Sequence, residues 1–542
     1  MERRAITVQG VVQGVGFRPF VYGLAERFDL RGFVRNRTGE VWIEVEGDAG
    51  SLDRFQDELV SCPPPLARID NVRWDRVSPQ GDQHFRIEHS DGANHGPVFI
   101  SPDVATCDAC LAELFDPADR HYRYPFLNCT NCGPRLTIVT GAPYDRDRTT
   151  MAGFPMCSAC RAEYDDPSNR RFHAQPTACP ACGPKLRLLD KDGRRTECAD
   201  PLAIFVSELR GGRIGALKGL GGFHLVCDAR NEVAVAELRR RKHRDEKPFA
   251  IMVPDAAAAR TLCQVDTAEE KLLTSIRRPI VLLRRLGSAD IANTVAPGNP
   301  FLGVMLPYTP LHHLLTRELG GIPLVMTSGN QSDEPIAYED DAPEKLSGIA
   351  DIYLTHERPI HVRCDDSVTR VLDREELPVR RSRGYAPAPL PLPLPCPCPI
   401  LAVGGQLKAT FALGRGRQAF VSHHMGDLDR FEAYRAFVRD IGLYQQLFAT
   451  RPDYLVHDLH PDYASTRFAG DWSAREGTPL LAVQHHHAHM ASCMAEHGLA
   501  GPVIAVTFDG TGFGTDGTIW GGEFLVGDYR QFRRAAFLRT VG

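Results

Sequence analysis

Eight of the sixteen cysteines fall into four C-x2-C pairs: Cys107/Cys110, Cys129/Cys132, Cys157/Cys160 and Cys179/Cys182. Two thiolates spaced this way form a knuckle that supplies two corners of a tetrahedron, and a second knuckle closes it, which is the pattern of structural zinc. The pairs lie in two copies of one motif at an offset of 50, CDACLAELFDPADRHYRYPFLNCTNCGPR and CSACRAEYDDPSNRRFHAQPTACPACGPK, with 18 residues between knuckles in each. Two closed zinc ions follow, without an open position for chemistry. Spacing leaves open whether each ion uses one repeat or takes knuckles from both. His121 and His173 are substitute ligands by type but read as surface residues. The block reads as a zinc-stapled connector too poor in core to fold without metal. The remaining cysteines read as small buried hydrophobes, except Cys396 and Cys398, which sit in a proline-rich stretch and read as exposed.

A second metal constellation is histidine-based. In QHHHAHMASCMAEH, His485 and His489 are at i and i+4, on one helix face. Asp509, at the tip of the next strand, supplies an oxygen ligand, and the set reads as a third metal site for iron or zinc. Two kinds of anion site accompany it. GVVQGVGFR runs strand to helix with three glycines, aiming backbone N–H groups at a helix start, and Arg18 adds a planar guanidinium suited to phosphate. Asn36, at a neighbouring strand end, can orient a water through its amide. Further on, TSGN (Thr327–Asn330) follows a strand and suits phosphate or ribose contacts, and the turn Gly404-Gly405-Gln406 permits close approach of a phosphate.

These residues need several domains to position them, and 542 residues supply three or four. With 43% hydrophobic and 24% charged residues, the chain has the balance of a globular protein. No run approaches the roughly 18 apolar residues of a membrane helix, and the N-terminus lacks the apolar core of a signal peptide, so a cytoplasmic protein is expected. A net charge of −5 argues against nucleic acid or anionic membrane as bulk partners. Residues 1–92 order as βαββαβ, with a turn at Thr38-Gly39, and fit a ferredoxin-like sandwich. Residues 93–198 hold the cysteines, and 199–386 are of α/β character. PAPLPLPLPCPCP, 387–399, has a proline at every odd position and predicts a polyproline II spacer. Residues 400–542 carry two glycine-rich hairpins around the histidine helix. The basic run Arg239–Lys247 leads into the strand PFAIMV, and Arg380, Arg381 and Arg383 are further candidates for phosphate.

GVVQGVGFR together with GFVRNRTGEV resembles acylphosphatase over the whole first unit. That resemblance implies that Arg18 holds the phosphate and Asn36 positions the attacking water. The third unit resembles the YrdC-like domain: its K-x-R-x-x-K-P pattern stands here as Lys242, Arg244, Lys247 and Pro248, and its TS-x-N element as Thr327, Ser328 and Asn330. This implies ATP binding and an acyl-adenylate. The paired hairpins resemble the phosphate clamps of actin-like ATPases, with one lobe in 400–542.

The four units in this order resemble the hydrogenase-maturation carbamoyltransferases, the HypF family. The fold expected is thus multidomain α/β and α+β: acylphosphatase, zinc connector, YrdC-like domain and one actin-like lobe. The resemblance implies that carbamoyl phosphate and ATP yield carbamoyl-adenylate, and that the carbamoyl group passes to the C-terminal cysteine of a HypE-like partner as precursor of cyanide ligands in [NiFe]-hydrogenase. Relatives continue into a second lobe, so early steps are expected without efficient final transfer. The alternatives are tRNA threonylcarbamoylation, which has no use for the first unit, and an RNA-binding zinc scaffold, which the overall charge and the lack of interleaved aromatics disfavour.

Overall fold

The computed structural model describes residues 1–12, 14–37, 40–88, 100–141, 144–331 and 334–539. They form two bodies, one reaching Tyr385 and the other beginning at Ala386. No helix among the described residues is long and apolar enough to cross a membrane. The expected turn at Thr38-Gly39 and the boundary at 92/93 lie outside the described residues.

The first body opens with strands Glu2–Val11, Arg31–Arg37, Glu40–Gly47 and Arg68–Val77 and helices Phe17–Arg27 and Ala49–Ser61, in the βαββαβ order. A short strand, Phe85–Ile87, adds itself parallel to Arg31–Arg37. Antiparallel register sets Ile6 against Ile43 and Val8 against Val41, all fully buried, because period-two alternation sends them to one face. Val21, Leu24, Leu52, Phe55 and Leu59 are among the buried residues of the two helices. Asp48 starts the second helix by accepting from Ser51 N–H at 3.0 Å.

Each cysteine repeat opens on a short helix, Asp108–Phe115 and Ser158–Asp165, whose N-cap is the first cysteine of the repeat. The block's apolar residues pack onto the next unit. Leu114, Tyr124, Phe126, Ile138 and Met151 share one apolar cluster with Phe205, Leu217, Leu311 and Leu354 of the following unit. Strands Leu186–Asp190 and Arg195–Thr196 also belong to that unit's sheet, paired through Ile352–His356, so the sheet begins before the expected boundary at 198. The sheet is mixed and large. Its centre runs Ile280–Arg285, Phe301–Met305, Ala250–Met252, Leu324–Ser328, Phe223–Asp228, Gly215–Lys218 and Ile352–His356.

In the second body, strands Ala412–Val421, Leu390–Ala402, Tyr454–Asp458 and Leu480–Val483 form one sheet, with helices Phe431–Leu447, Ala464–Glu476 and His485–Glu496. The second hairpin, Val503–Phe513 with Ile519–Gly527, lies in a separate three-stranded sheet with Phe532–Phe537. The two hairpins therefore do not share a lobe's sheet. Nor is 387–399 a free spacer, because Leu390–Ala402 is a strand paired with Ala412–Val421. Its other neighbour, Tyr454–Asp458, pairs only at Ile400–Ala402. Prolines at every second residue put the missing N–H donors on one edge, and most of that edge needs no ladder partner.

Candidate functional site

The glycine loop of the first unit is built as its sequence predicts. Gly14 and Gly16 adopt φ 69° and 74°, the left-handed conformation glycine allows, and Gly16 caps helix Phe17–Arg27 without a side chain. The N-terminal dipole of that helix and the half-buried Arg18 meet there. Burial pushes the Arg18 pKa down, with Asp145 and Tyr164 of the cysteine block opposing. A Cβ on Gly16 would lie 3.3 Å from Thr130 Cβ, so finger residues wall this loop. Sequence reasoning did not find that wall. Asn36, on strand Arg31–Arg37, has a buried Oδ1 with no hydrogen-bond donor among the described residues. Such an atom costs stability unless a ligand or water satisfies it.

The cysteines group within repeats. Cys107–Cys129, Cys129–Cys132 and Cys132–Cys110 sulfurs are 3.7, 3.8 and 3.5 Å apart, and the second repeat gives 3.7, 3.8 and 3.6 Å for the equivalent pairs. A tetrahedron with Zn–S bonds of about 2.3 Å has edges of about 3.8 Å, so both sets fit zinc. The repeats cross over instead through their arginines. Arg170 of the second repeat donates through both terminal nitrogens to Cys110 at 3.3 Å, and Arg120 of the first donates to Cys160 at 3.5 and 3.4 Å. His121, expected at the surface, is not there. It is buried, hydrogen-bonded to Asp119, and in neither four-cysteine set. His173 stacks on Tyr164.

In the YrdC-like unit the structure brings Lys242 to the TSGN loop. Lys242, fully buried at the end of helix Glu232–Lys242, donates to the carbonyl of Ser328 at 2.8 Å and to Asn330. Ser328 Oγ donates to Asn330 Oδ1 at 2.7 Å, and Thr327 is buried at the strand end. Arg244 curls onto the carbonyls of Lys247 and Pro248, while Lys247 is exposed. The basic run is thus partly structural. Arg239 likewise donates to the carbonyls of Arg244, Asp245 and Lys247. Arg383, expected to reach phosphate, is buried and ion-paired with Asp366 at 2.7 Å.

In the second body His485 bridges two carboxylates. Its Nε2 lies 2.6 Å from Asp509 Oδ2 and its Nδ1 2.5 Å from Asp458 Oδ2; His489 Nε2 is 3.4 Å from the same Asp509 oxygen. The Asp458 hydrogen bond is the main cause raising the His485 pKa. Burial pushes Asp509 up, but His485 and the Thr511 N–H outweigh it and its pKa is lowered. The two imidazoles and Asp509 converge closely enough to hold one metal ion. A register shift between Phe508 and Gly512 re-aims Asp509 toward the helix. Gln484 caps that helix, accepting from His487 N–H and donating to Phe513 O, which ties helix to strand. Gly404, at φ 69°, leaves 2.2 Å between a Cβ and Thr410 O, and a Cβ on Gly405 would lie 3.8 Å from His485. The glycine turn and the histidine helix are therefore neighbours.

Five families match consecutive stretches: Acylphosphatase at 4–87, HypF finger at 106–139 and 156–189, Telomere recombination (Sua5, YciO and YrdC) at 207–382, HypF Kae1-like domain at 396–496, and the second subdomain of the carbamoyltransferase Kae1-like domain at 505–542. Carbamoyltransferase HypF2 of Cupriavidus necator is 49% identical over 99% of this chain and 69% of its own length. The chain belongs to the HypF carbamoyltransferase family. Carbamoyltransferase HypF of Synechocystis is 46% identical over 99% of the chain and 69% of that relative. A crystal structure of full-length HypF in a phosphate- and nucleotide-bound form superposes with TM-score 0.92 at 47% identity, covering 98% of this chain and 70% of that one. For a HypF-family chain, the start of the second-subdomain match at 505 agrees with the separate sheet that carries Asp509.

Proposed function

We propose that this chain works in [NiFe]-hydrogenase maturation, turning carbamoyl phosphate and ATP into carbamoyl-adenylate and passing the carbamoyl group to the C-terminal cysteine of a HypE-like protein. The observation that carries the reading is Asn36 Oδ1, a buried acceptor without a partner, in the same small unit as Arg18 and its left-handed glycine loop. That pairing suits an acyl phosphate. Arg18 and loop N–H groups hold the phosphoryl oxygens, and Asn36 orients a water. Water adds to phosphorus, the bond to the carbamoyl oxygen breaks, and carbamate and phosphate result.

In the second stage a carbamate oxygen attacks the α-phosphorus of ATP and pyrophosphate leaves. Thr327, Ser328 and Asn330 meet the nucleotide, with Lys247 and Arg244 at its phosphates. Lys242 acts on the TSGN loop through its bonds to Ser328 and Asn330. In the third stage the thiolate attacks the carbamoyl carbon and AMP leaves. Gly404 and Gly405 approach the nucleotide phosphates, and His485, His489 and Asp509 would hold a metal ion that supplies Lewis-acid polarisation of the carbonyl. The cysteine sets of the HypF finger would hold two structural zinc ions.

The test is incubation of the full chain with carbamoyl phosphate and ATP. Phosphate, pyrophosphate and AMP are the expected products, with pyrophosphate–ATP exchange dependent on carbamoyl phosphate. ADP as the product would contradict the adenylate.

A further inference from the structure

The wall of the glycine loop in the first unit is built from one cysteine knuckle. Where a side chain on Gly16 would point stand Thr130 Cβ at 3.3 Å, Asn131 Oδ1 at 3.4 Å and Thr130 Oγ1 at 3.5 Å. Both residues lie between Cys129 and Cys132, and the knuckle is held from several sides. The Asn131 N–H donates to the Cys129 sulfur at 3.4 Å. Thr130 donates through its N–H at 3.2 Å and its hydroxyl at 3.1 Å to the carbonyl of Arg170, in the other repeat. The Thr130 carbonyl accepts from Arg135 at 2.8 Å. The two side chains at the loop are thus placed by a backbone with little freedom to move.

What this wall offers the loop is acceptors. The Thr130 hydroxyl has given its proton to the Arg170 carbonyl and keeps only lone pairs. The side-chain amide of Asn131 is half-buried and turns its oxygen to Gly16. Asp145 and Tyr164, whose charges oppose the effect of burial on Arg18, add a carboxylate and a hydroxyl that donates to Gln175 at 2.9 Å. A phosphate asks for the reverse. It needs donors, which the loop N–H groups and Arg18 supply. Acceptors set beside an anion site repel phosphoryl oxygens, and they are satisfied only by a part of the ligand that carries N–H groups.

We infer that Asn131 and Thr130 read the acyl group of the substrate: their side-chain oxygens accept hydrogen bonds from a carbamoyl NH2 while the loop and Arg18 hold the phosphate. This preference rests on the acyl-phosphate chemistry proposed above and adds to it a specificity supplied by the cysteine block. Carbamoyl phosphate carries an NH2 where acetyl phosphate carries a methyl group of nearly the same size. Shape cannot separate the two, and hydrogen bonding can. A site built to bond an N–H penalises the analogue that lacks it, because the acceptors of the site are left unpaired. The bonds that change are untouched by this contact. Water adds to phosphorus, the bond from phosphorus to the acyl oxygen breaks, and Asn131 and Thr130 meet only the leaving group.

The experiment compares kcat/KM for phosphate release from carbamoyl phosphate and from acetyl phosphate by the full chain without ATP, with the uncatalysed rates subtracted. One neutral hydrogen bond supports a preference of roughly tenfold, so the parent should favour carbamoyl phosphate by about that factor or more. Asn131→Leu should bring the ratio down to about one by slowing carbamoyl phosphate, and Thr130→Val should move it the same way. Two equivalents of zinc and an unchanged circular dichroism spectrum certify that the variants fold. Should Asn131→Leu fail that check, Asn131→Ser, too short to reach the acyl group, takes its place. A loss shared equally by the two substrates would mark a structural effect and overturn the preference, as would variants that keep the parent ratio. A parent that turns over both substrates alike loses the preference and keeps the acyl-phosphate chemistry; a parent that releases phosphate from neither loses both.

Discussion

Replacing Arg170 with Gln should loosen the metal of the other repeat. The guanidinium of Arg170 meets Cys110 through two N–H groups at 3.3 Å, while Arg170 itself lies in the repeat of Cys157, Cys160, Cys179 and Cys182. Four thiolates around Zn²⁺ leave a net charge of about −2, and the crossed arginine offsets part of it. At 3.3 Å a full charge pair is worth about 5 kcal/mol at an effective dielectric of 20, before desolvation and sharing of the sulfur charge with the metal. A charged hydrogen bond nets about 1.5–3 kcal/mol, and Arg170 is 29% exposed, so the lower end applies. That converts to roughly tenfold weaker zinc at the first site. Arg120→Gln should do the same to the second site through Cys160. The assay is a chelator series followed by an alkylation pulse and peptide mass spectrometry, which reads Cys110 and Cys160 separately. In Arg170→Gln, Cys110 should be labelled at about tenfold lower chelator, with Cys160 unchanged. Equal labelling of both, or labelling of Cys160 alone, would show that the crossed contact carries no energy.

Four further outcomes are expected. Arg18→Ala should lower phosphate release from carbamoyl phosphate by at least about a hundredfold with no change in thermal midpoint, because Arg18 contributes charge to the loop rather than packing; phosphate release by a malachite-green assay checks this. Asp458→Asn should weaken metal at the His485 site by about 10- to 100-fold, since the carboxylate fixes which imidazole nitrogen faces Asp509; metal-binding isotherms decide. Lys242→Met should cost at least about 1–3 kcal/mol, leaving buried acceptors of Ser328 and Asn330 unpaired, and should abolish pyrophosphate exchange; urea unfolding and isotope exchange measure the two. Asp366→Asn should cost about 3–5 kcal/mol by stranding buried Arg383. Burial would push the Asp366 carboxyl up, yet Arg383 and His224 hold it far below 3.8, so its contribution is fully present above that pH and fades only in stronger acid. Urea unfolding at stepped pH should show a constant gap to the parent from neutral down to about pH 4, narrowing below; a gap that closes nearer neutrality would refute the pairing.

The sequence was legible where chemistry is local. Cysteines separated by two residues, at i and i+3, or histidines one helical turn apart, share a face whatever the rest of the chain does, so Cys107/Cys110 and His485/His489 could be read directly. What depends on tertiary approach could not. Asp458 is 27 residues from His485, and its one signal is that it ends a strand, Tyr454–Asp458, beside the helix. Pairing of knuckles within repeats was undecidable from spacing, and although the offset of 50 makes Arg120 and Arg170 equivalent, nothing in it shows that each reaches the other repeat's cysteine. The alternating prolines misled because polyproline II and an edge strand both lie in the broad extended region of φ/ψ space, and a strand edge without ladder partners tolerates the missing N–H groups. The basic run misled differently: a helix end rich in arginine reads as a solvated or phosphate-binding face, whereas Arg239 and Lys242 turn inward to backbone carbonyls.

Buried cations separate architecture from function by what they are bonded to. Six sit within the YrdC-like unit among the described residues, and Lys242, Arg383 and Arg358 show the range of what surrounds them. Lys242 is surrounded by acceptors of the TSGN loop, and Arg383 by Asp366 and the carbonyls of Arg277 and Arg278. Their charge is neutralised or solvated by the protein itself, and the fold suffices to explain them. Arg358 has an aromatic ring and a cavity instead. Holding such a charge out of water disfavours folding by several kcal/mol unless something answers it. The same reasoning sets Asn36 Oδ1 apart from the satisfied amide of Gln484, which caps a helix and reaches a strand carbonyl. An unanswered buried polar group is a cost that stability alone gives no reason to keep, which is the physical argument for a ligand or water at Asn36.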